Sequence, residues 1–256
     1  MDHILAVSLA TMQHDMQRLD RIAQNLANVT TPGYKREVVA SRPFVEVLDQ
    51  TALSAQGPLA GATSADSAAS NVRGLLDVRP GTLRMTGEPL DLALAGDGFF
   101  EVATAEGMAY TRQGNFSVDA RGRLVTAQGH AVMGKNGEIF LATLRPVIDA
   151  AGNITEPLSP SPAGGAPGAQ VKVVRFDNPA SMQRLGDGLL APGAGMLVAS
   201  DDVQVRQGAL ENANVSTVQE MVQLMQTMRH FESMQKVATG YDEMLGSAIR
   251  KLGELS

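Results

Sequence analysis

The chain has 256 residues, of which 44% are hydrophobic, and a formal net charge of −6. That hydrophobic share is enough for a folded core, and the negative charge argues against nucleic acid or an anionic membrane surface as the main partner. There is no cysteine, which excludes disulfides, thiolate metal sites and cysteine nucleophiles.

A heptad pattern marks residues 4–28 at the amino end. Its apolar positions alternate in steps of four and three, as Leu5, Leu9, Met12, Met16, Leu19, Ala23 and Leu26. At 1.5 Å per residue such a helix would be roughly 35–40 Å long. Pro32 lacks a backbone N–H and disfavours helix at Thr31, so the helix is predicted to end before it. The sequence therefore predicts an amphipathic helix with one apolar seam.

Residues 52–71 are rich in Ala, Ser, Gly and Thr and carry one charge, Asp66. Such a segment buries too little apolar surface to offset its ordering entropy, which predicts a flexible linker.

Period-two patterns separated by glycine turns follow Val72 and predict a β-rich body. The predicted strands are residues 99–102, 108–111, 116–119, 123–126 and 171–176. Three segments beginning at Asp119, Asn136 and Asp149 share an Asp or Asn, a Gly and a following apolar residue, which is typical of β-hairpin turns. Residues 177–202 are Gly-rich and are predicted to be irregular.

The carboxy-terminal helix is predicted to begin near Ser216 or Thr217, since each is followed three residues later by Gln or Glu, as in a capping box. Its apolar stripe comprises Met221, Met225, Met228 and Phe231, and then Met234, Ala238, Tyr241, Leu245, Ala248 and Leu252. About 35 residues would span roughly 50 Å, longer than a compact domain needs. Two such seams without a third helix predict self-association through paired terminal helices.

These patterns predict an α+β fold, in which coiled-coil-like paired amino- and carboxy-terminal helices flank a central, mostly antiparallel β-rich domain. The predicted domain boundaries are 1–45 for the amino-terminal assembly helix and adjoining segment, 46–72 for the linker, 73–200 for the β domain, and 201–256 for the carboxy-terminal joint and helix.

The sequence carries no convincing catalytic pattern. Residues 129–136 approach a phosphate-binding loop, but Asn136 and Gly137 stand where a Ser or Thr and a helix are required. The four histidines, His3, His14, His130 and His230, share no ligand spacing, and the Asp-x-x-Gly turns lack the carboxylates of a calcium loop. We therefore expect no enzymatic activity, no cofactor and no metal.

Sequence signals for membranes are also lacking. The longest apolar stretches, such as residues 189–199, are too short and too broken to cross a bilayer. The first basic residue is Arg18, so the amino end lacks the basic region of a secretory signal peptide. We expect no membrane insertion.

Several motifs resemble those of flagellar rod and hook proteins. Residues 25–36 (NLANVTTPGYKR) resemble the amino-terminal signature of that family, and residues 207–215 (QGALENANV) its carboxy-terminal signature. Residues 96–100 (GDGFF), 110–116 (YTRQGNF), 119–124 (DARGRL) and 128–129 (QG) resemble its central β-domain motifs. The matching positions are Asn25, Asn28, Gly33, Gly96, Gly98, Phe99, Gly114, Gly122, Gly208 and Asn214.

The resemblance implies a non-enzymatic axial subunit of the bacterial flagellar basal-body rod, with the proximal-rod type favoured over the distal-rod type. It implies polymerisation through the terminal helices, transmission of torque, and a share in the wall of the export channel. The implied partners are the chain itself, other rod and hook subunits, and the flagellar type III export apparatus, through which the chain leaves without a cleaved signal peptide for the periplasm-spanning rod. The positions expected to mediate assembly are Leu5, Leu9, Met12, Met16, Leu19, Leu26, Met221, Met225, Met228, Phe231 and Leu245.

An alternative of another class is a soluble β-domain binding or carbohydrate-active module whose helices merely cap it. This alternative predicts a ligand cleft near Asp97 and Glu101.

Overall fold

The computed structural model describes residues 2–39, 74–156, 169–192, 197–199 and 203–253. The linker predicted at residues 46–72 lies outside the described residues, as do the side chains of Leu5 and Leu245.

Two α-helices are described, one at each end of the chain. Helix α1 comprises Asp2–Ala27 and helix α2 comprises Thr217–Gly253. α1 ends in a turn in which the Thr31 N–H donates to the Asn28 carbonyl at 3.0 Å, immediately before Pro32. Neither helix in the described ranges is both long and apolar enough to cross a bilayer.

Short strands fill the part of the chain between the helices. They are β1 (Glu37–Val39), β2 (Gly74–Leu76), β3 (Leu83–Met85), β4 (Leu92–Ala95), β5 (Phe99–Thr104), β6 (Gly107–Thr111), β7 (Ser117–Val118), β8 (Leu124–Val125), β9 (Ala131–Gly134), β10 (Gly137–Glu138), β11 (Val147–Ile148), β12 (Ile154–Thr155), β13 (Val173–Phe176), β14 (Gln183–Gly186), β15 (Leu189–Ala191), β16 (Leu197–Ala199), β17 (Gln204–Gln207) and β18 (Ala209–Glu211).

The largest sheet has the strand order β14-β15-β6-β5-β9-β8-β7, with β10 beside β9 and β13 between β5 and β16. Four two-stranded pairs accompany it: β1 with β2, β11 with β12, β17 with β4, and β18 with β3. In the large sheet and in the last three pairs, neighbouring strands are antiparallel. The antiparallel β-rich body is therefore as predicted.

The hairpin turns are confirmed. β7 and β8 pair as Val118 with Leu124, and β11 and β12 pair as Ile148 with Ile154. In both loops an aspartate accepts backbone N–H groups: Asp119 from Arg121 and Arg123 at 2.8 and 2.9 Å, and Asp149 from residues 151 and 153 at 2.9 and 2.8 Å. The segment that approaches a phosphate-binding loop in sequence, residues 129–136, likewise leads into a hairpin, because β9 and β10 pair as Gly134 with Gly137.

The chain divides into two compact units. The first contains residues 1–26, 37–75 and 216–256, and the second contains residues 27–36 and 76–215. The main apolar core belongs to the second unit and includes Phe100 and Phe116, whose rings meet edge to face at 5.2 Å.

The prediction of irregular structure at residues 177–202 is wrong, because β14, β15 and β16 lie in this range. Leu189 and Leu190 pair with Thr111 and Tyr110 of β6 and are buried there. The burial of two consecutive leucines comes from a strand nearly eighty residues away, so local periodicity does not reveal it.

The predicted coiled-coil-like pairing of the terminal helices through their apolar seams is also wrong. Leu9 and Met16 of α1 are each 57% exposed, and Met221, Met225 and Met228 of α2 are 48–53% exposed. Met12, Leu19, Leu26 and Phe231 are only half-buried. The seams therefore do not form a shared apolar core within the described residues.

The buried face of each helix is displaced from its seam. Ser8, Asp15 and Ile22 are buried on α1, each one position before Leu9, Met16 and Ala23. Glu220 and Thr227 are buried on α2, each one position before Met221 and Met228. One position corresponds to about 100° around a helix.

Polar contacts within the first unit occupy these buried faces. Asp15 Oδ2 lies 2.6 Å from Nδ1 of His230, and Asn25 Nδ2 lies 3.5 Å from Glu220 Oε2. Asn25 also donates to the Glu37 carbonyl at 2.9 Å and accepts from the Glu37 N–H at 3.0 Å. These contacts involve charged and amide groups where the seam prediction required apolar packing.

Candidate functional site

In the second unit, the segment that follows α1 meets the segment that precedes α2. The Gly33 N–H donates to the Glu211 carbonyl at 2.7 Å, and the Asn214 N–H donates to the Tyr34 carbonyl at 3.3 Å. We call residues 33–36, residues 209–214, Arg112 and Arg184 the junction.

Three charged side chains are buried at the centre of the junction. Glu211 accepts from Lys35 Nζ at 2.6 Å through Oε1, and from Arg112 Nη1 at 3.2 Å through Oε2. Only 1–2% of each of the three side chains is exposed. One carboxylate therefore serves two cations in a setting that water barely reaches.

Burial governs the electrostatics of this group. It lowers the pKa of Lys35 from its ordinary value, and the negative charge of Glu211 offsets that effect only in part. The pKa of Arg112 is lowered for the same reason, again with Glu211 opposing. Breaking a buried pair by removing one partner typically costs about 3–5 kcal/mol, because a charge is left uncompensated.

Arg112 also joins the junction to the loop that follows β4. Its Nη1 and Nη2 donate to the carbonyls of Leu94 at 3.3 Å and Gly96 at 2.6 Å. Its guanidinium lies 5.5 Å from the centre of the Phe99 ring, within range of a cation–π interaction.

Arg184 and Asn214 hold the backbone of residues 35 and 36. Arg184 Nη2 donates to the Lys35 carbonyl at 2.6 Å, and its guanidinium lies 4.3 Å from the Tyr34 ring centre. Asn214 accepts from the Arg36 N–H at 2.6 Å and donates to the Asp77 carbonyl at 2.8 Å. Such charge-assisted and amide bonds fix the path of the chain as it leaves the junction.

Gly33 is the position where the junction tolerates no side chain. Its φ is +67°, and a Cβ atom there would lie 2.2 Å from the Arg112 carbonyl oxygen. Both the left-handed backbone and the close approach require glycine.

The family-motif positions are distributed unevenly. Gly33 and Asn214 are junction residues, and Gly96 and Phe99 contact Arg112. The remaining motif positions in the second unit lie in turns and strand contacts outside the junction: Asn28, Gly98, Gly114, Gly122 and Gly208. Asn25 belongs to the first unit, as do all the predicted seam residues.

Sequence reasoning assigned no role to Lys35, Arg112, Arg184 or Glu211. Arg112 follows β6 and Glu211 ends β18, but the buried and exposed residues of these two strands do not alternate. Local periodicity therefore gives no signal for any of these four side chains.

The alternative hypothesis predicted a cleft near Asp97 and Glu101, and of these two residues only Asp97 lines the cavity described here. A cavity of about 300 Å³ is lined by Asp97, Phe99, Arg112, Arg175, Phe176 and four further residues. Glu101 is not among them, and its carboxylate accepts from Lys172 Nζ at 2.7 Å. The two carboxylates therefore do not form an acid–base pair in one cleft.

The contacts of the junction are ion pairs, hydrogen bonds and cation–π contacts between segments of the chain. In the part of the chain that the structure describes, no three or more His, Asp or Glu side chains are placed to bind a metal ion. The junction fastens two segments, about 175 residues apart in sequence, to one β domain.

Comparisons with known proteins agree with the motifs. Residues 206–251 match the family described as flagellar basal body rod FlgEFG protein C-terminal, and residues 93–157 match the flagellar hook protein FlgE/F/G D1 domain.

Similarity to individual proteins extends over nearly the whole chain. Flagellar basal-body rod protein FlgF of Salmonella typhimurium is 31% identical over 98% of this chain and 99% of its own length. FlgF of Escherichia coli is 32% identical with the same coverage, and FlgG of Bacillus subtilis is 29% identical over 94% of this chain and 96% of its own.

Proposed function

The chain belongs to the flagellar basal-body rod protein family, and we propose that it is an axial rod subunit that polymerises through its two terminal helices. Membership makes it a structural component of the flagellum and not an enzyme. Polymerisation, transmission of torque and a share in the export-channel wall are the parts that we propose.

The single observation that carries the proposal is the exposed apolar stripe of α2. Val218, Met221, Val222, Met225 and Met228 recur at helical spacing and are 43–73% exposed. A contiguous apolar helix face costs free energy in water and is favourable only when another surface covers it. Methionine suits a surface that meets neighbours in slightly different geometries, as successive subunits of a filament do.

α1 offers a second surface of the same kind. Leu9 and Met16 lie on one face, seven residues apart, and are 57% exposed. We propose Leu5, Leu9, Met16, Met221, Met225, Met228 and Leu245 as positions that meet neighbouring subunits, with Met12, Leu19, Leu26 and Phe231 contributing from the edges of the two faces.

The junction would carry load between the helices and the β domain. A torque-bearing subunit needs its helical and β parts to move together, and a buried ionic group with charge-assisted bonds resists sliding better than apolar contact alone. Residues 33–36 follow the segment that bears α1, and residues 209–214 precede α2.

The partners that we propose are further copies of this chain, other rod and hook subunits, and the flagellar type III export apparatus. Export by that route without a cleaved signal peptide, and residence in the periplasm-spanning rod, follow from the family resemblance. Relatives named FlgF and FlgG match with nearly equal identity, so the proximal-rod type stays a prediction.

Met225→Glu tests this function. The side chain is 53% exposed, so a charge there leaves the folded subunit intact, while burying that charge against a neighbour would be costly. We expect a deletion strain complemented with Met225→Glu to be non-motile, with the axial structure stopping at the rod in images of isolated basal bodies.

The control is Gln226→Glu, which adds the same charge one position away, at an exposed polar site outside the stripe. It is expected to restore motility. Normal basal bodies from the Met225→Glu strain would refute assembly through this stripe.

A further inference from the structure

The terminal helices present a physical puzzle. Each has a continuous apolar seam, yet each turns a mostly polar strip inward, in which Ile22 is the apolar member, and on both helices the buried strip precedes the seam by one residue. The hydrophobic effect alone favours the opposite rotation, with the methionines and leucines facing each other.

We propose that Asp15, Asn25, Glu220 and His230 act as polar pins that set the rotation of the two helices and so keep the apolar stripes outward. These four side chains are here called the pins. The subunit is thereby prevented from burying its own assembly surface.

The geometry of the pins supports this role. Asp15 meets His230 and Asn25 meets Glu220, so ten residues forward on α1 correspond to ten residues backward on α2. Both contacts therefore satisfy one antiparallel register, with the pins about 15 Å apart along each helix. Two separated contacts restrict sliding and rotation together, which one contact does not.

Three of the four pins are buried, whereas the His230 side chain is 49% exposed. Asn25 is 1% exposed and Glu220 is 0% exposed, and 6% of the Asp15 side chain is exposed. Turning the seams inward would break the 2.6 Å contact of Asp15 and the two bonds from Asn25 to the backbone of Glu37. A buried polar group that loses its partner is costly, which opposes the gain from burying the stripe.

The test uses the absence of native cysteine. Single substitutions Met225→Cys and Thr227→Cys place a thiol on the exposed stripe and on the buried strip, where the native side chains are 53% and 2% exposed. With the pins intact, a maleimide should label the first thiol much faster than the second in dilute, monomeric protein.

Each of the two cysteine variants is then combined with a triple variant that carries Asp15→Ala, Asn25→Ala and His230→Ala together. We expect labelling to slow several-fold at Met225→Cys and to accelerate several-fold at Thr227→Cys, because the seams turn inward. Unchanged rates at both positions, with helix content retained by circular dichroism, would overturn the inference.

A second variant covers the case in which the triple variant loses its helices. The exchange of Asp15→His with His230→Asp keeps the contact and reverses its direction, so the native labelling pattern is expected. Loss of that pattern in the exchanged variant would also overturn the inference.

The idea that the outward stripes meet neighbouring subunits rests on the proposed function. The labelling experiment on monomers is independent of that function. A reciprocal change in labelling combined with normal rod assembly would uphold the pins and refute the stripe as an assembly surface.

Discussion

Glu211 is the carboxylate on which two buried cations of the second unit converge, and its charge decides whether they can be buried at all. It also accepts the Gly81 N–H at 2.8 Å, so its oxygens bind three donors from three different segments. At the scale of single residues, this side chain has the largest expected effect on stability.

Glu211→Gln is expected to lower the free energy of unfolding of the second unit by about 3–5 kcal/mol, because two buried cations lose their counter-charge. Lys35→Met is expected to cost less, since Arg112 and Glu211 then form a balanced pair. Urea unfolding of the full chain, followed by circular dichroism, measures both. Equal losses would contradict this account, and Glu88→Gln, at an exposed site, is the control expected to stay within about 0.5 kcal/mol.

Asp119 and Asp149 are expected to make the free energy of unfolding depend on pH in the acid range. Backbone N–H groups and Arg123 lower the pKa of Asp119, and the side-chain amide and backbone N–H of Asn153 lower the pKa of Asp149. For a carboxyl with a lowered folded pKa, the contribution to stability is fully present above the ordinary value of 3.8 and is lost as pH falls through the folded pKa.

The expected outcome is that Asp119→Ala and Asp149→Ala destabilise the protein at neutral pH and by less as the pH falls below 3.8. Unfolding free energies at a series of pH values, compared with the parent chain, test this. A penalty that is independent of pH would show that the carboxylates do not hold these turns through their charge.

At the scale of elements, the expected effect of replacing glycine by alanine has opposite signs at a close contact between strands and in the interior of a helix. Gly114 follows β6, and a Cβ atom there would lie 1.6 Å from the carbonyl oxygen of Leu92 in β4. Gly240 lies inside α2, and among the described residues no atom beyond its chain neighbours and the helix's own backbone lies within 4 Å of its Cβ position.

Gly114→Ala is therefore expected to destabilise the second unit by about 1–3 kcal/mol, because β4 and the segment after β6 must separate. Gly240→Ala is expected to stabilise α2 by about 0.5–1 kcal/mol, because alanine loses less backbone entropy than glycine in a helix. Thermal unfolding of the two variants measures both signs. A stabilising Gly114→Ala would mean that the two segments do not approach this closely.

The elements that were predictable from sequence are those stabilised by local contacts. The hairpins at Asp119, Asn136 and Asp149 were predictable, since each turn is closed by residues within a few positions of one another. The hairpin of β14 and β15 was not, because its leucines are buried by β6 and not by their own neighbours. The same contrast applies to α1 and α2, whose extents were predictable and whose inward faces were not.

For the whole molecule, the division into two units has a consequence for dynamics. The second unit buries a large apolar core, whereas the first leaves both apolar stripes uncovered. Local opening is easiest where few apolar contacts oppose it.

We expect amide hydrogen exchange in the free monomer to be faster in α1 and α2 than in β5 and β6. In assembled rods, the helices should become as protected as the strands, because neighbours cover the stripes. Mass spectrometry of exchanged peptides from both states measures this. Helices that are fully protected in the monomer would contradict it.

The sequence by itself determined the approximate extents of the two helices, five of the eighteen strands that the structure describes (β5, β6, β7, β8 and β13), the hairpin turns and the family. These features depend on contacts between residues close in the chain, or on motifs that are contiguous in it, so periodicity and turn chemistry reveal them. Tertiary structure alone decided that Lys35, Arg112 and Glu211 meet, and that Asp15 and Glu220 face inward while Met16 and Met221 face outward. These outcomes depend on polar partners between 99 and 215 residues apart. A hydrophobic pattern shows only which residues are apolar. In this chain the pairing of buried polar and charged groups, and not that pattern, decided which faces of the helices are buried.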